Sequence, residues 1–283
     1  MDADRRELLA RRIISGVKFF TVDGKRYKLI APSSELMLLG EHVYQETLYD
    51  LRFDNFVSEE RVKAILHKLD IWNDEGDDQL EKLQKHLEDK KHELYKAMYS
   101  RDRQSRIRKT IDHAKKTINK SLARKHSLDH ITLKYHATLN KSQFIIAMCL
   151  LDSNNEHVFT EETYETGNSH LLEQIQIQNI EVAVSIEEFR EIARNDPWRS
   201  MWNIGKKGTF KGPVSEWTDE QRTLASFTKM YDGAYQDPDC PPENVMEDDD
   251  MFDGWLIHQK KERDKDRKEK SADKAKSFGD GAQ

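Results

Sequence analysis

The sequence predicts a mainly α-helical protein: a helical bundle with a long charged helical arm and a small N-terminal β-hairpin. Among 283 residues there are only 12 Gly and 6 Pro, which favours helix over a turn-rich β fold. Charged residues make up 35% and hydrophobic residues only 36%. This composition suits solvated helices, because each of them buries a single apolar stripe. Residues 79–124 contain neither Pro nor Gly, and their apolar residues recur every three or four positions.

The N-terminal hairpin is predicted by a dipeptide between two β-favouring segments. Asp23-Gly24 separates residues 17–22 from residues 25–30. Both positions of a tight hairpin turn favour positive φ, which Asp and Gly tolerate. We therefore expect two short antiparallel strands here.

Capping residues and apolar spacing predict the helices. Ser185 is followed by Glu188, and Thr218 by Gln221, and each pair matches a capping box at a helix N-terminus. Six predicted helices cover residues 5–15, 34–52, 58–72, 79–124, 127–151 and 170–180, and the segment 79–124 is either one helix or two with a break near 100–104. Three further helices are predicted after Ser185, from Thr218 to about Tyr235, and from near Asp248.

Polar segments divide the chain into four predicted parts. Residues 1–72 hold the hairpin and its helices, and 73–151 hold the charged arm and an apolar helix. Residues 152–258 form a C-terminal helical module that begins with a loop over 152–168, and 205–208 is interpreted as a turn. Residues 259–283 are charged, without an apolar stripe, so we expect a disordered tail or a solvated helical extension.

Composition limits the cellular context. The net charge of -6 is modest, so the charge of the whole chain does not indicate whether it binds nucleic acid. Cys149 lies in an apolar run and is predicted to be buried, whereas Cys240 lies in a Pro-rich loop and is predicted to be exposed. The longest apolar run, residues 144–151, is too short to cross a bilayer, so we expect no membrane association. The charged N-terminus does not resemble a secretion signal.

A basic stretch is the first candidate site. Ten Lys or Arg residues lie between Arg101 and Lys125, and a helix can present such cations to phosphates as a stripe. Residues 74–93 are strongly acidic, so the two segments can instead neutralise each other. The candidate nucleic-acid-binding residues are Arg101, Arg103, Arg106, Arg108, Lys109, Lys115 and Lys116.

An acidic cluster over residues 247–253 is the second candidate. Several carboxylates can hold a divalent cation, but the spacing here lacks the alternating ligands of a calcium loop. A helix N-terminus or a surface for a basic partner explains the cluster better. We therefore predict no metal site and no cofactor, and a metal-dependent enzyme is the least favoured hypothesis.

Aromatic residues concentrate in the final third of the chain. They form either a small core or a set of interface anchors, since Trp and Tyr carry much of the binding energy at protein contacts. Together with the acidic cluster they predict a docking element over residues 217–257. Its candidate protein-binding residues are Trp217, Tyr231, Tyr235, Asp248, Asp249, Asp250 and Trp255.

Four segments of this region resemble virion structural or tail-assembly proteins of large tailed bacteriophages. They are Trp217-Thr-Asp-Glu-Gln-Arg, Lys229-Met-Tyr-Asp232, Pro241-Pro-Glu243 and Asp248-Asp-Asp-Met-Phe-Asp-Gly-Trp255, and they lie within a span of about 40 residues. The resemblance implies a non-enzymatic, chaperone-like or structural role, other phage proteins as partners, and a location in the host cytoplasm or the virion. It implies no catalytic residues.

The leading hypothesis is therefore a phage assembly component that acts through protein–protein docking. The alternative is a nucleic-acid-binding accessory protein that uses residues 101–125. Homo-oligomer formation and the identity of the partner stay open at the level of sequence.

Overall fold

The computed structural model describes residues 1–164, 169–205 and 208–279. Parts of the predicted loop at 152–168, of the turn at 205–208 and of the charged tail at 259–283 lie outside the described residues. The chain forms two compact units, each assembled from two separate segments. Unit 1 contains Met1–Ala64 and Leu128–Asp237, and unit 2 contains Ile65–Ser127 and Pro238–Gln283.

The fold is mainly α-helical with a small antiparallel sheet, as the sequence predicts. The strands are β1 Lys18–Val22, β2 Lys25–Leu29 and β3 Leu150–Leu151. The helices are α1 Ala3–Ser15, α2 Ser34–Asp50, α3 Glu59–Lys68, α4 Asp74–Lys96, α5 Arg101–Lys125, α6 Leu133–Cys149, α7 Ser169–Glu181, α8 Ile186–Arg194, α9 Trp198–Gly205, α10 Asp219–Gln236, α11 Glu243–Met246 and α12 Asp249–Gly279.

The predicted hairpin is confirmed in unit 1. β1 pairs with β2 in register from Lys18 opposite Leu29 to Val22 opposite Lys25, and Asp23 and Gly24 both adopt positive φ in the turn. The sheet gains β3, which pairs antiparallel with β2 and comes directly after α6. Its buried face packs on α7 in one apolar cluster, formed by Phe20, Val22, Ala147, Leu150, Phe159, Leu171, Leu172 and Ile175.

A second group of helices in unit 1 surrounds α10. α10 packs against α8 and α1, and α8 also contacts α9. Both predicted capping boxes are present at the N-termini of α8 and α10. The Gln221 side chain does more than cap its helix, because its amide also donates to the carbonyls of Ile13 and Ile14 at the end of α1.

Unit 2 is built from α4, α5 and the first turns of α12. The predicted arm is two helices, with its break at residues 97–100, slightly earlier than expected. α4 and α5 run antiparallel, since Lys125 at the end of α5 pairs with Asp77 near the start of α4 at 2.9 Å. Their apolar stripes enclose a core with α11 and α12. The buried residues are Leu66, Leu80, Leu94, Ala97, Ile111, Ala114, Ile118, Val245, Met246, Met251, Phe252 and Trp255.

The two units of the structure differ from the four consecutive parts that are predicted from the sequence. The N-terminal hairpin shares its unit with residues far along the chain, and the charged arm shares its unit with α12. α12 continues to Gly279 through the segment predicted to be disordered or a solvated helix. Its side chains are exposed from Lys260 to Lys268, because no apolar stripe remains to pack.

Candidate functional site

The docking element predicted over residues 217–257 is divided between the two units. Trp217, Tyr231 and Tyr235 belong to unit 1, whereas Asp248 and Trp255 belong to unit 2. Tyr231 is 0% exposed and Trp255 is 2% exposed. Their assignment as interface anchors is therefore corrected to core packing, since a side chain without accessible surface cannot contact a partner while the unit is folded.

The carboxylates of the acidic cluster pair within unit 2. Asp248 binds Arg108 at 2.7 Å. Asp250 lies 2.8 Å from Lys115 and 3.3 Å from Lys91. Lys91 also binds Asp253 at 2.6 Å. These ion pairs attach the start of α12 to α4 and α5, so Asp248, Asp250 and Asp253 stabilise the fold of unit 2.

The pKa values of the central pair show mutual stabilisation. Burial would raise the pKa of Asp250, but the hydrogen bond and charge of Lys115, together with Lys91, hold that pKa below its ordinary value. Burial would likewise lower the pKa of Lys91, but Asp253 and Asp250 raise it. Asp249, the remaining predicted acid, is half-buried at the first position of α12, where a carboxylate suits the helix N-terminus.

Trp217 and Tyr235 instead meet at a surface pocket of unit 1. The pocket has a volume of about 680 Å³, within the usual range for binding sites. It lies between α9, α10 and the loop that precedes α10. Its lining residues are Arg199, Trp202, Asn203, Gly212, Pro213, Val214, Trp217, Lys229, Asp232, Tyr235 and Gln236.

Asp232 organises one side of this pocket. One of its oxygens binds the Arg199 guanidinium at 2.6 Å, and the other accepts from the Trp202 indole N–H at 2.9 Å. The same guanidinium lies 5.2 Å from the centroid of the Tyr235 ring, within cation–π range. Asp232 thus fixes Trp202 and Arg199, and Arg199 in turn supports Tyr235.

A series of aromatic rings supports Trp217 in the pocket wall. Trp217 contacts Phe210 edge-on with centroids 4.8 Å apart, and Phe210 stacks on Trp198 at 5.4 Å. Trp198 is completely buried and donates its indole N–H to Thr228 Oγ1 at 2.8 Å. The Trp217 indole N–H is also used, because it donates to the Gly212 carbonyl. The aromatic-rich region is therefore partly core and partly pocket wall.

The rim of the pocket is apolar and positively charged. Val214 is 59% exposed and Tyr235 is 49% exposed, so both offer apolar surface to solvent. Lys229 is also exposed and forms no ion pair with the described residues. Among the described residues, the pocket thus combines aromatic walls, an accessible apolar edge and the unpaired ammonium group of Lys229.

The basic stretch forms α5 and divides into two sets of cations. Arg108, Lys115 and Lys125 pair with Asp248, Asp250 and Asp77 of unit 2. Arg108 and Lys115 therefore leave the candidate nucleic-acid set, because the fold already uses their charges. The cations that remain exposed, without an ion pair in the described chain, are Arg101, Arg103, Arg106, Lys109, Lys116, Lys120 and Arg124.

The described residues hold no group of three or more His, Cys, Asp or Glu placed to bind a metal ion. Among them, no helix is both long enough and apolar enough to cross a bilayer. Cys149 is buried and Cys240 is exposed, which confirms both predictions for the thiols.

Only part of the pocket is predicted from the sequence. Trp217 and Tyr235 are among the candidate residues, whereas Arg199, Val214 and Asp232 are not. The available signal was the four-residue spacing of Trp198 and Trp202, which places both indoles on one face of α9. What connects that face to Asp232 on α10 is tertiary packing, which periodicity within one helix does not reveal.

Comparisons with known proteins returned no family model, no curated protein sequence and no solved structure that matches this chain.

Proposed function

We propose that this chain is a non-enzymatic docking protein that binds a partner protein through the aromatic pocket of unit 1. The observation that carries the proposal is the combination of fixed aromatic walls with an exposed apolar rim at Val214 and Tyr235. Rigid Trp and Tyr side chains give large contact areas at low entropic cost, as is common in the centres of protein interfaces.

The lining chemistry defines the partner segment. Trp202 and Trp217 already use their indole N–H groups, and Asp232 is neutralised by Arg199, so these side chains mainly offer apolar surface. The free Lys229 ammonium lies at the edge of that surface. We propose that the partner inserts one large apolar side chain and places a carboxylate beside Lys229.

The proposed setting is the assembly of a bacteriophage virion or tail, in the host cytoplasm or in the particle. Support for this setting comes from the four C-terminal segments that resemble such assembly proteins, two of which, Trp217–Arg222 and Lys229–Asp232, contribute to the pocket. The partner is accordingly another phage structural or assembly protein.

Two substitutions test the pocket without disturbing the core. Val214→Glu introduces a charge at the exposed rim, and Tyr235→Ala removes half-exposed aromatic surface near the end of α10. We expect either change to weaken association with assembling particles by at least about tenfold, as is typical when an interface anchor is lost. Co-sedimentation of the purified variants with tail or head assembly intermediates measures this.

Tyr135→Ala is the matched control, because Tyr135 is 45% exposed and lies on α6, away from the pocket lining. Retained association of this variant, with loss for the pocket variants, supports the proposal. If all three variants associate like the native chain, or if the native chain does not associate with any particle intermediate, the proposed function is wrong.

A further inference from the structure

The free cations of α5 form a straight stripe on the outward face of unit 2. At 3.6 residues per turn, five of them fall within an arc of about 80°. The opposite side of the helix carries the buried Ile111, Ala114 and Ile118. Along the axis the stripe extends over 18 residues, or about 27 Å. Its members are Arg106, Lys109, Lys116, Lys120 and Arg124.

The fold of unit 2 does not need these five charges. The cations that stabilise it are Arg108, Lys115 and Lys91, which pair with carboxylates at the start of α12. The stripe residues are exposed and form no ion pair with the described residues. Two carboxylates of α5, Asp102 and Asp112, are also exposed and reduce the positive field only in part. The outward face is therefore available to an external polyanion.

Duplex nucleic acid is opposite to this stripe in charge and is long enough to meet all of it. A duplex carries one negative charge per roughly 1.7 Å of its axis with both strands counted, so 27 Å of duplex holds about 16 phosphates, more than the five cations need. The stripe keeps its arrangement because α5 packs on α4, and Lys125 near its end pairs with Asp77 of α4.

The packing of α5 also limits how it can bind. The inner face of α5 is covered by α4 and by the start of α12, so only its outward face is available to nucleic acid. Single strands are bound through aromatic stacking, and the sequence from 101 to 125 contains no Phe, Tyr or Trp. The Lys and Arg side chains of the outward face are suited to contacts with the phosphate backbone of a duplex.

We infer that the outward face of α5 binds duplex DNA through its phosphates, without reading its sequence. This site lies in unit 2 and is independent of the protein-docking pocket of unit 1, so either can fail without the other.

The salt dependence of binding tests this inference quantitatively. Five phosphate contacts predict a slope of about -4.5 for the logarithm of the binding constant against the logarithm of salt concentration. Affinity should then fall about 500-fold between 50 and 200 mM salt. Fluorescence anisotropy of a labelled DNA duplex of mixed sequence, titrated with the full chain, measures both quantities.

Three substitutions should remove most of this dependence. The triple variant Lys109→Gln, Lys116→Gln, Lys120→Gln leaves two stripe cations, a slope of about -1.8 and a fall of only about 12-fold over the same salt range. Lys63→Gln, Lys82→Gln, Lys85→Gln is the matched control, because it removes the same charge from exposed positions outside the stripe. It should bind duplex DNA like the native chain.

A third variant separates charge from folding. Replacing the same three stripe lysines by Arg keeps the charge and should retain native affinity, and equal far-UV circular dichroism of the Gln and Arg variants shows that folding is unchanged in both. Equal weakening by stripe and control variants would overturn the inference. So would tighter binding of polyglutamate than of duplex DNA at equal salt, which would indicate an acidic protein partner.

Discussion

Gly254 is predicted to be essential for the close packing of α12 on α4 in unit 2. It lies in the first turns of α12, where the helix crosses α4. A Cβ atom at this position would lie 2.1 Å from the Lys91 carbonyl oxygen and 2.9 Å from the Tyr95 Cβ. The first of these atoms is backbone, so it cannot move aside alone as the end of a flexible side chain can.

The magnitude follows from the displacement that Gly254→Ala would need. Ordinary contact begins near 3.4 Å, so the two backbones must separate by about 1.3 Å. A gap of that size loses much of the dispersion energy of neighbouring core contacts, here at Phe252 and Trp255. Overpacking of this kind costs up to about 3 kcal/mol. This exceeds the gain of about 1 kcal/mol that Ala brings to a helix. We expect a net loss of about 2 kcal/mol.

Amide hydrogen exchange is the appropriate assay, since two compact units need not unfold together. A loss of 2 kcal/mol in unit 2 should speed exchange in α4 and α12 about 25-fold, with little change in α8 and α10. Gly233→Ala is the matched control, because Gly233 lies in α10 with nothing within 4 Å of its added Cβ. That variant should stabilise unit 1 by up to about 1 kcal/mol. Unchanged or slower exchange in α12 of Gly254→Ala would refute this account of the helix crossing.

Two further predictions concern titratable groups. Burial raises the pKa of the Cys149 thiol to about 11, so a disulfide reagent at pH 8 should modify one thiol in the native chain and none in Cys240→Ser. Modification of both thiols without denaturant would contradict the burial of Cys149. In the folded chain the pKa of Asp250 is lowered from its ordinary value of 3.8. Its ion pairs therefore stabilise the fold at pH values above 3.8, and this stabilisation is lost as the pH falls through the lowered pKa of the folded state. The free energy of unfolding of unit 2 should therefore decrease more steeply below pH 4 in the native chain than in Asp250→Asn; parallel pH profiles would contradict this.

Local sequence signals were enough to predict most of the elements. Asp23-Gly24 determines the hairpin turn, and the Ser185 and Thr218 boxes mark helix starts, because each depends on residues within a few positions. The pairing of β3 with β2 was not predicted, because Leu150 and Leu151 end an apolar run that periodicity assigns to helix. The combination of distant segments within each unit was also missed, since periodicity contains no information on which stripes meet.

The candidate site illustrates the same limit at the level of side chains. The aromatic and acidic residues of the C-terminal third look like a single exposed set in the sequence, but Trp255 fills the core of unit 2 and Tyr231 that of unit 1. Ten cations in 25 residues likewise predict a charged helix, whereas only the packing of α5 separates the paired Arg108 from the free Lys109. In both cases the burial of a residue depends on contacts with segments far away in the chain.

Site-specific photo-crosslinking from position 214, in cells that carry out the proposed phage assembly, tests the proposed docking function most directly. Val214 lies on the exposed rim of the pocket, so a photoreactive amino acid there contacts whatever fills it. We predict crosslinks to a defined segment of one virion or assembly protein, which mass spectrometry can map. These crosslinks should be lost when Tyr235→Ala is combined with the probe at position 214. They should also be missing when the probe replaces Tyr135. Identical crosslinks from positions 214 and 135, or crosslinks from position 214 that persist in the Tyr235→Ala background, would contradict docking through this pocket.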